Sequence, residues 1–333
     1  MREITVATVQ MKPELGNAEN NLVKMSDFIS TIVSQQKVDL IIFPELVTSG
    51  YELGVKFTEL AQRVPGPAIN LMAQRAADAG VYIAFGLVTK EKVESILYNS
   101  AVLVGPEGEL LGQYNKVHLR GEERMAFREG FKLPVIDTGE IGKLGLVIGW
   151  DLAFPEVARS LTLDGAELLC VLSDWETPHI DEWKTYIRSR AYENALFIAA
   201  ANRVGEDVTM SFGGESMIVG PRGRVYAALE TEANVPVKAT EKPVEKPVEA
   251  PALVPAMAGN GSPDSGTAPA PAPAAPTPVP SVPPSPSLPK KPVPTEGYCV
   301  ARIDLDEVRK YREEFRTLQS RQPTVYKAVV KRY

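Results

Sequence analysis

Apolar residues recur along this chain in two periods, and the period changes every ten to twenty residues. Ile4 to Val9, rich in β-branched residues, predicts an opening strand. Asn17 then reads as an N-cap for a helix carrying Leu22, Met25, Ile29, Ile32 and Val33 at spacings of three and four. Leu40 to Phe43 is wholly apolar, the signature of a strand buried on both faces. A second helix is expected from about Pro67, with Gly80 just past its end. Strands follow at 81–88, 100–104 and 109–114, the last two joined by the turn Pro106-Glu107-Gly108. Further along, Leu144–Ile148 predicts a buried strand, Pro155 to Asp164 a helix, Leu168–Leu172 a strand, Asp181–Ala195 a helix and Phe197–Ala201 a strand. Residues 216–219 and 224–229 read as a hairpin around Pro221-Arg222-Gly223. Strands alternating with helices predict α/β layers around buried sheets.

One stretch breaks the pattern. Of the 28 prolines, 18 lie within the 59 residues from Pro236 to Pro294, which contain no aromatic residue. Lacking large side chains to bury, the stretch is expected to be disordered or polyproline II. It falls between two apparent strands, so residues 1–235 and 295–333 are expected to form one domain, with 236–294 as a Pro/Ala-rich insert. Long loops add little closure entropy, about 0.6 kcal/mol per doubling. The segment Pro286-Ser287-Leu288-Pro289-Lys290 also fits a ligand for a proline-recognising partner.

Charge and composition narrow the function classes. The net charge is −6 with no clustered Lys/Arg field, which argues against nucleic acid. Cys170 and Cys299 are too few for a disulfide framework and suit a reducing compartment. The only histidines, His118 and His179, exclude a His-rich zinc site. Glu3 interrupts any apolar leader, and no apolar run approaches the ~20 residues needed to cross a bilayer. The expected address is cytoplasmic, with no membrane partner.

Three polar points stand where apolar strands end: Phe43-Pro44-Glu45, then Tyr114-Asn115-Lys116-Val117-His118-Leu119, then Gly149-Trp150-Asp151-Leu152-Ala153-Phe154-Pro155-Glu156. Open α/β sheets place their sites at such strand ends. In this order the three segments resemble the nitrilase superfamily of carbon–nitrogen hydrolases. So do Gly50-Tyr51, Leu97-Tyr98-Asn99-Ser100, Arg190-Ala191-Tyr192-Glu193-Asn194, Asn202-Arg203-Val204-Gly205 and Phe212-Gly213-Gly214-Glu215-Ser216. The resemblance implies a four-layer αββα sandwich, homodimers or larger homo-oligomers, and cofactor-free hydrolysis of small amides, N-carbamoyl compounds or nitriles through a cysteine. It further implies Glu45 as general base, Lys116 as the cation beside the developing oxyanion and Glu123 as the carboxylate that fixes Lys116. The backbone N–H of Trp150 becomes the second oxyanion donor, and Tyr51 belongs to the substrate loop. No metal is implied.

The chain departs from that pattern at its centre. The superfamily places a nucleophilic cysteine immediately before the aromatic–Asp pair, and here that residue is Gly149. Cys170, inside an apolar strand, reads as a buried small hydrophobe, and Cys299 likewise. A glycine at a sharp strand-to-helix turn relieves strain, so the fold is expected to survive. Three readings stay open: a thiol removed so that substrate is trapped, a non-catalytic pseudoenzyme with a Pro-rich recruitment loop, or direct activation of water by Glu45.

Overall fold

The computed structural model describes residues 1–91, 96–229 and 294–331. Its fourteen strands are β1 (Glu3–Gln10), β2 (Leu40–Ile42), β3 (Tyr82–Lys90), β4 (Leu97–Val104), β5 (Leu110–Asn115), β6 (Val135–Asp137), β7 (Lys143–Ile148), β8 (Leu168–Ser173), β9 (Phe197–Asn202), β10 (Val204–Glu206), β11 (Ser211–Gly213), β12 (Met217–Val219), β13 (Val225–Ala228) and β14 (Gly297–Asp304). The helices are α1 (Ala18–Gln35), α2 (Phe57–Leu60), α3 (Pro67–Ala79), α4 (Glu123–Ala126), α5 (Pro155–Leu163), α6 (Ile180–Asn194) and α7 (Asp306–Phe315).

Two six-stranded sheets carry the architecture, ordered β14-β1-β2-β3-β4-β5 and β13-β12-β9-β8-β7-β6. Their centres are parallel, β1 to β2 to β3 in one and β7 to β8 to β9 in the other. Strict alternation along each central strand explains how the layers stack. Ile4, Val6, Leu40 and Ile42 meet Leu146, Ile148, Leu168 and Leu172 between the sheets. The intervening Ala7, Val9, Ile41 and Phe43 face outward onto Met25, Ile29, Ile32, Ile69 and Met72 of α1 and α3. On the other flank Val147, Leu169 and Val171 pack against Val157, Leu161, Trp183 and Ile187 of α5 and α6. The result is the expected α/β/β/α sandwich, and it explains the continuous apolar runs: both faces of the central strands are buried.

Local signals end the elements where the sequence suggests. The Asn17 side chain accepts from the Asn20 N–H at the start of α1. Pro67 opens α3 and Gly80 closes it in the left-handed conformation. Residues absent from the sequence-based expectations are the short β6, β10, β11, α2 and α4, and the charged helix α7, which buries only Val308. The expected insert, 236–294, lies outside the described residues except at Pro294. β14, which follows it, returns to pair antiparallel with β1 from Glu3↔Asp304 to Gln10↔Gly297.

Candidate active site

Parallel strands that begin together also end together, so the C-terminal ends of β2, β7 and β8 fall at one rim. Glu45 follows β2, Lys116 follows β5, Gly149 follows β7, Ser173 closes β8 and Asp174 follows it. Asn99, near the start of the antiparallel β4, reaches the same rim.

The three expected charged residues converge. Lys116 Nζ donates to Glu45 Oε1 at 2.7 Å and to Glu123 Oε1 at 2.6 Å. Asn99 Nδ2 bridges the same two oxygens, at 2.7 Å and 3.1 Å. The Arg120 N–H donates to Glu123 Oε2 at 2.8 Å, and the Asp174 N–H to Glu45 Oε2 at 3.1 Å. All three charged side chains are buried. Burial pushes the Glu45 carboxyl up to about 7; Lys116 opposes that shift and Glu123 adds to it. Burial alone would lower the Lys116 ammonium, but Glu123 and Glu45 outweigh it and hold it well above its usual range. The cluster therefore sets a proton acceptor of near-neutral affinity beside a fixed cation.

Gly149 faces this cluster. Its φ is +45°, in the left-handed region that glycine adopts without steric cost. A Cβ added there would press on Glu45 Oε2 more closely than Cβ atoms approach real neighbours, and would lie 3.3 Å from Lys116 Nζ. The residue at this position thus looks directly at both the carboxylate and the ammonium.

Asp151 explains why the Lys116 segment meets the Gly149 turn. Its Oδ2 accepts the Tyr114 hydroxyl at 2.6 Å, while Oδ1 accepts the His118 N–H at 2.8 Å and lies 2.8 Å from His118 Nδ1. Tyr114 and His118 flank Lys116 by two residues on each side, so one fully buried carboxylate fixes the segment from both directions. His118 also stacks on Phe154, with centroids 3.6 Å apart. The other side of the turn is held by Arg190 of α6, whose guanidinium donates to the carbonyls of Leu152 and Ala153 at 3.1 Å and 2.9 Å. Asp151 therefore serves as an anchor between segments.

Tyr51 and Trp150 line the approach. Arg203, fully buried, donates twice to Asp207 at 2.8 Å and 2.7 Å, and Asp207 in turn accepts the N–H of Tyr51 at 2.9 Å. Trp150 lies edge-on to Phe154 and under the Arg120 guanidinium, 5.9 Å from its ring centroid. An inner cavity is bounded by Glu45, Lys116, Gly149, Trp150, Ser173 and Asp174. An outer one is bounded by Phe57, Glu122, Phe127 and Met210, and both share Tyr51, Arg120 and Glu176.

Asn99, Ser173 and Asp174 belong to the site although motif reading alone assigned them no role. Among the described residues, Asn99 Oδ1, Ser173 Oγ and both Asp174 carboxyl oxygens are buried without a hydrogen-bond partner. A signal existed for two of them: Ser173 and Asp174 are small polar residues where the apolar strand β8 ends. The two cysteines lie elsewhere, Cys170 buried on β8 and Cys299 on β14. Among the described residues no group of three or more His, Cys, Asp or Glu side chains is placed to hold a metal ion, and no helix is long and apolar enough to cross a membrane.

Comparison with known proteins identifies the family and the fold. The sequence profile of the carbon-nitrogen hydrolase family matches residues 5–238. A probable nitrilase of Schizosaccharomyces pombe is 45% identical over 230 residues, covering 68% of this chain and 84% of that protein. A 2-oxoglutaramate amidase of Bacillus subtilis is 32% identical over 225 residues, covering 67% and 85%. In fold, the chain superposes on a carbon-nitrogen hydrolase from Helicobacter pylori with a TM-score of 0.75 at 21% identity, covering 99% of each chain. It also superposes on an amidase from Nesterenkonia sp. AN1, captured with an acetamide moiety joined to its active-site cysteine, with a TM-score of 0.70 at 21% identity, covering 98% and 96%. The chain belongs to the carbon-nitrogen hydrolase family of the nitrilase superfamily.

Proposed function

We propose that this protein binds small amide-like molecules, whether amides, N-carbamoyl compounds or nitriles, over the Glu45–Lys116–Glu123 cluster, and that its hydrolytic power is impaired because Gly149 replaces the nucleophile. The observation that carries this reading is the aim of position 149 at Glu45 Oε2 and Lys116 Nζ together. A thiol there would give its proton to Glu45, attack the substrate carbon and place the resulting oxyanion toward Lys116. Glu45 would pass that proton to the leaving nitrogen, so that ammonia departs and a thioester remains; water activated by the freed Glu45 carboxylate would hydrolyse it to the acid, restoring the thiol. Glycine has no atom to form that bond, so the covalent route stops before its first step. Glu45 and Lys116 are the catalytic groups in this reading; Glu123, Trp150 and Tyr51 hold the substrate and the cation. The reading extends to a cytoplasmic chain that needs no cofactor and pairs with a second copy through exposed apolar residues on α5, α6 and the C-terminal segment, among them Leu163, Tyr192 and Tyr326.

The test is Gly149→Cys assayed with the parent chain against a panel of amides, carbamoyl compounds and nitriles. Turnover by Gly149→Cys alone, rising as pH passes about 7 where Glu45 loses its proton, is the expected result. Turnover by the parent that Glu45→Gln removes would replace this reading with direct attack by water. No turnover in a folded Gly149→Cys would leave a binding protein. Gly149→Ser serves as the folding control. A side chain at φ +45° costs roughly 1–2 kcal/mol, so both variants should melt below the parent by similar amounts.

A further inference from the structure

Asp174 lines the inner cavity and has a carboxyl group that the hydrolytic scheme does not use. Asp174 is 8% exposed, and neither carboxyl oxygen has a protein hydrogen-bond partner among the described residues. Buried carboxyl groups are ordinarily paired, because an unmatched one loses its hydration without return. Its main chain is already committed, since its N–H donates to Glu45 Oε2, the oxygen against which a Cβ at position 149 would press. The Asp174 main chain is therefore held against the same carboxylate that faces position 149. Asn202 fixes the next residue by accepting the Trp175 N–H at 2.7 Å, so the β8 terminus is rigid.

We propose that this site selects amides bearing an ammonium group, with Asp174 as the residue that receives it. The inference rests on the amide-binding reading and names its substrate class. The surroundings favour a cation. Glu45, Glu123, Asp174, Glu176 and Glu122 line the two joined cavities, against Lys116 and Arg120. Lys116 is already shared between two carboxylates. Arg120 rests over Trp150 at the outer mouth, beside Glu122 and Glu176. The groups that act on Asp174 from neighbouring elements are Arg203, Glu45, Asp207 and Lys116, and Arg203 is already held by Asp207. His179 stands behind Glu176 at 3.7 Å. Burial holds the Asp174 carboxyl well above the ordinary carboxylate range, with Arg203 opposing and Glu45 and Asp207 adding. An arriving ammonium reverses that balance and lets Asp174 ionise, so binding releases a proton.

Isothermal titration calorimetry of the full chain with β-alaninamide, butyramide and succinamate tests this, because the three differ chiefly in charge at the distal end. β-Alaninamide should bind at least about tenfold tighter than butyramide, with succinamate weakest. Its binding heat should also depend on the ionisation enthalpy of the buffer. Asp174→Asn should bring the β-alaninamide to butyramide ratio close to one, and Asp174→Glu should restore the preference, which separates loss of charge from loss of fold. Equal binding of β-alaninamide and butyramide, or tightest binding of succinamate, overturns the inference and leaves amide binding standing. Failure of all three to bind a folded chain overturns amide binding itself, and the inference with it.

Discussion

At the scale of single residues, Glu45 links stability to pH. Its carboxyl titrates near 7 in the folded protein against an ordinary 4.5, with burial as the main cause. The folded state therefore holds a proton that the unfolded state has lost between those values. Its contribution is complete below about pH 4.5 and is lost as pH rises through about 7. The difference is on the order of 3 kcal/mol. Denaturant titrations between pH 5 and 8 should show stability falling with pH, and Glu45→Gln should flatten that slope. A slope unchanged by the substitution would mean that Glu45 is not the titrating group. Asp151 shows a different side of residue-level reading. Its place beside Trp150 in a motif said nothing of its partners, because Tyr114 and His118 lie more than thirty positions away.

Elements set the site through what they exclude as much as through what they carry. Gly86 sits inside β3, within a run that reads simply as a buried strand. An added Cβ there would lie 2.6 Å from the Leu46 nitrogen, 2.7 Å from the Glu45 Cα and 2.8 Å from the Pro44 carbonyl oxygen. These neighbours are backbone atoms, so they yield only if the Phe43-Pro44-Glu45 segment moves. Gly86→Ala should therefore cost roughly 1–3 kcal/mol, the range for overpacking a core. It should also weaken amide binding, because Glu45 is displaced; thermal melts and amide titration check both. Loss of stability with unchanged binding would show that Glu45 tolerates the shift. Elements differed in legibility for physical reasons. α1 and α3 have caps and a repeating apolar stripe. α4 has four residues, too few to show a period, and α7 is largely charged with Val308 alone buried. β10 and β11 have three residues each and form a two-stranded sheet apart from the two large ones.

For the whole molecule, the two strands flanking the insert meet. Leu229, after β13, lies 3.7 Å from where a Cβ on Gly297 would stand at the start of β14. A short connection can span that gap, so replacing residues 230–294 with about six Gly/Ser residues should preserve the sandwich. By light scattering, parent and shortened chain should share one subunit count, a dimer or larger, and the melting temperature should not fall. A shortened chain that aggregates, or a parent that is monomeric, would contradict the single-domain or the pairing proposal respectively.

The order of the long strands and of α1, α3, α5 and α6, the caps of α1 and α3, the burial of both faces of the central strands and the identities of Glu45, Lys116 and Gly149 as candidates follow from the sequence. Each rests on interactions between near neighbours or on a motif contained in one segment. Only the tertiary structure placed Asn99 between the two carboxylates, anchored the Lys116 segment through Asp151 and left Asp174 unpaired beside them. Those facts depend on which strand ends share a rim, and the packing of two sheets decides that, because residues dozens of positions apart become neighbours only when both faces are buried.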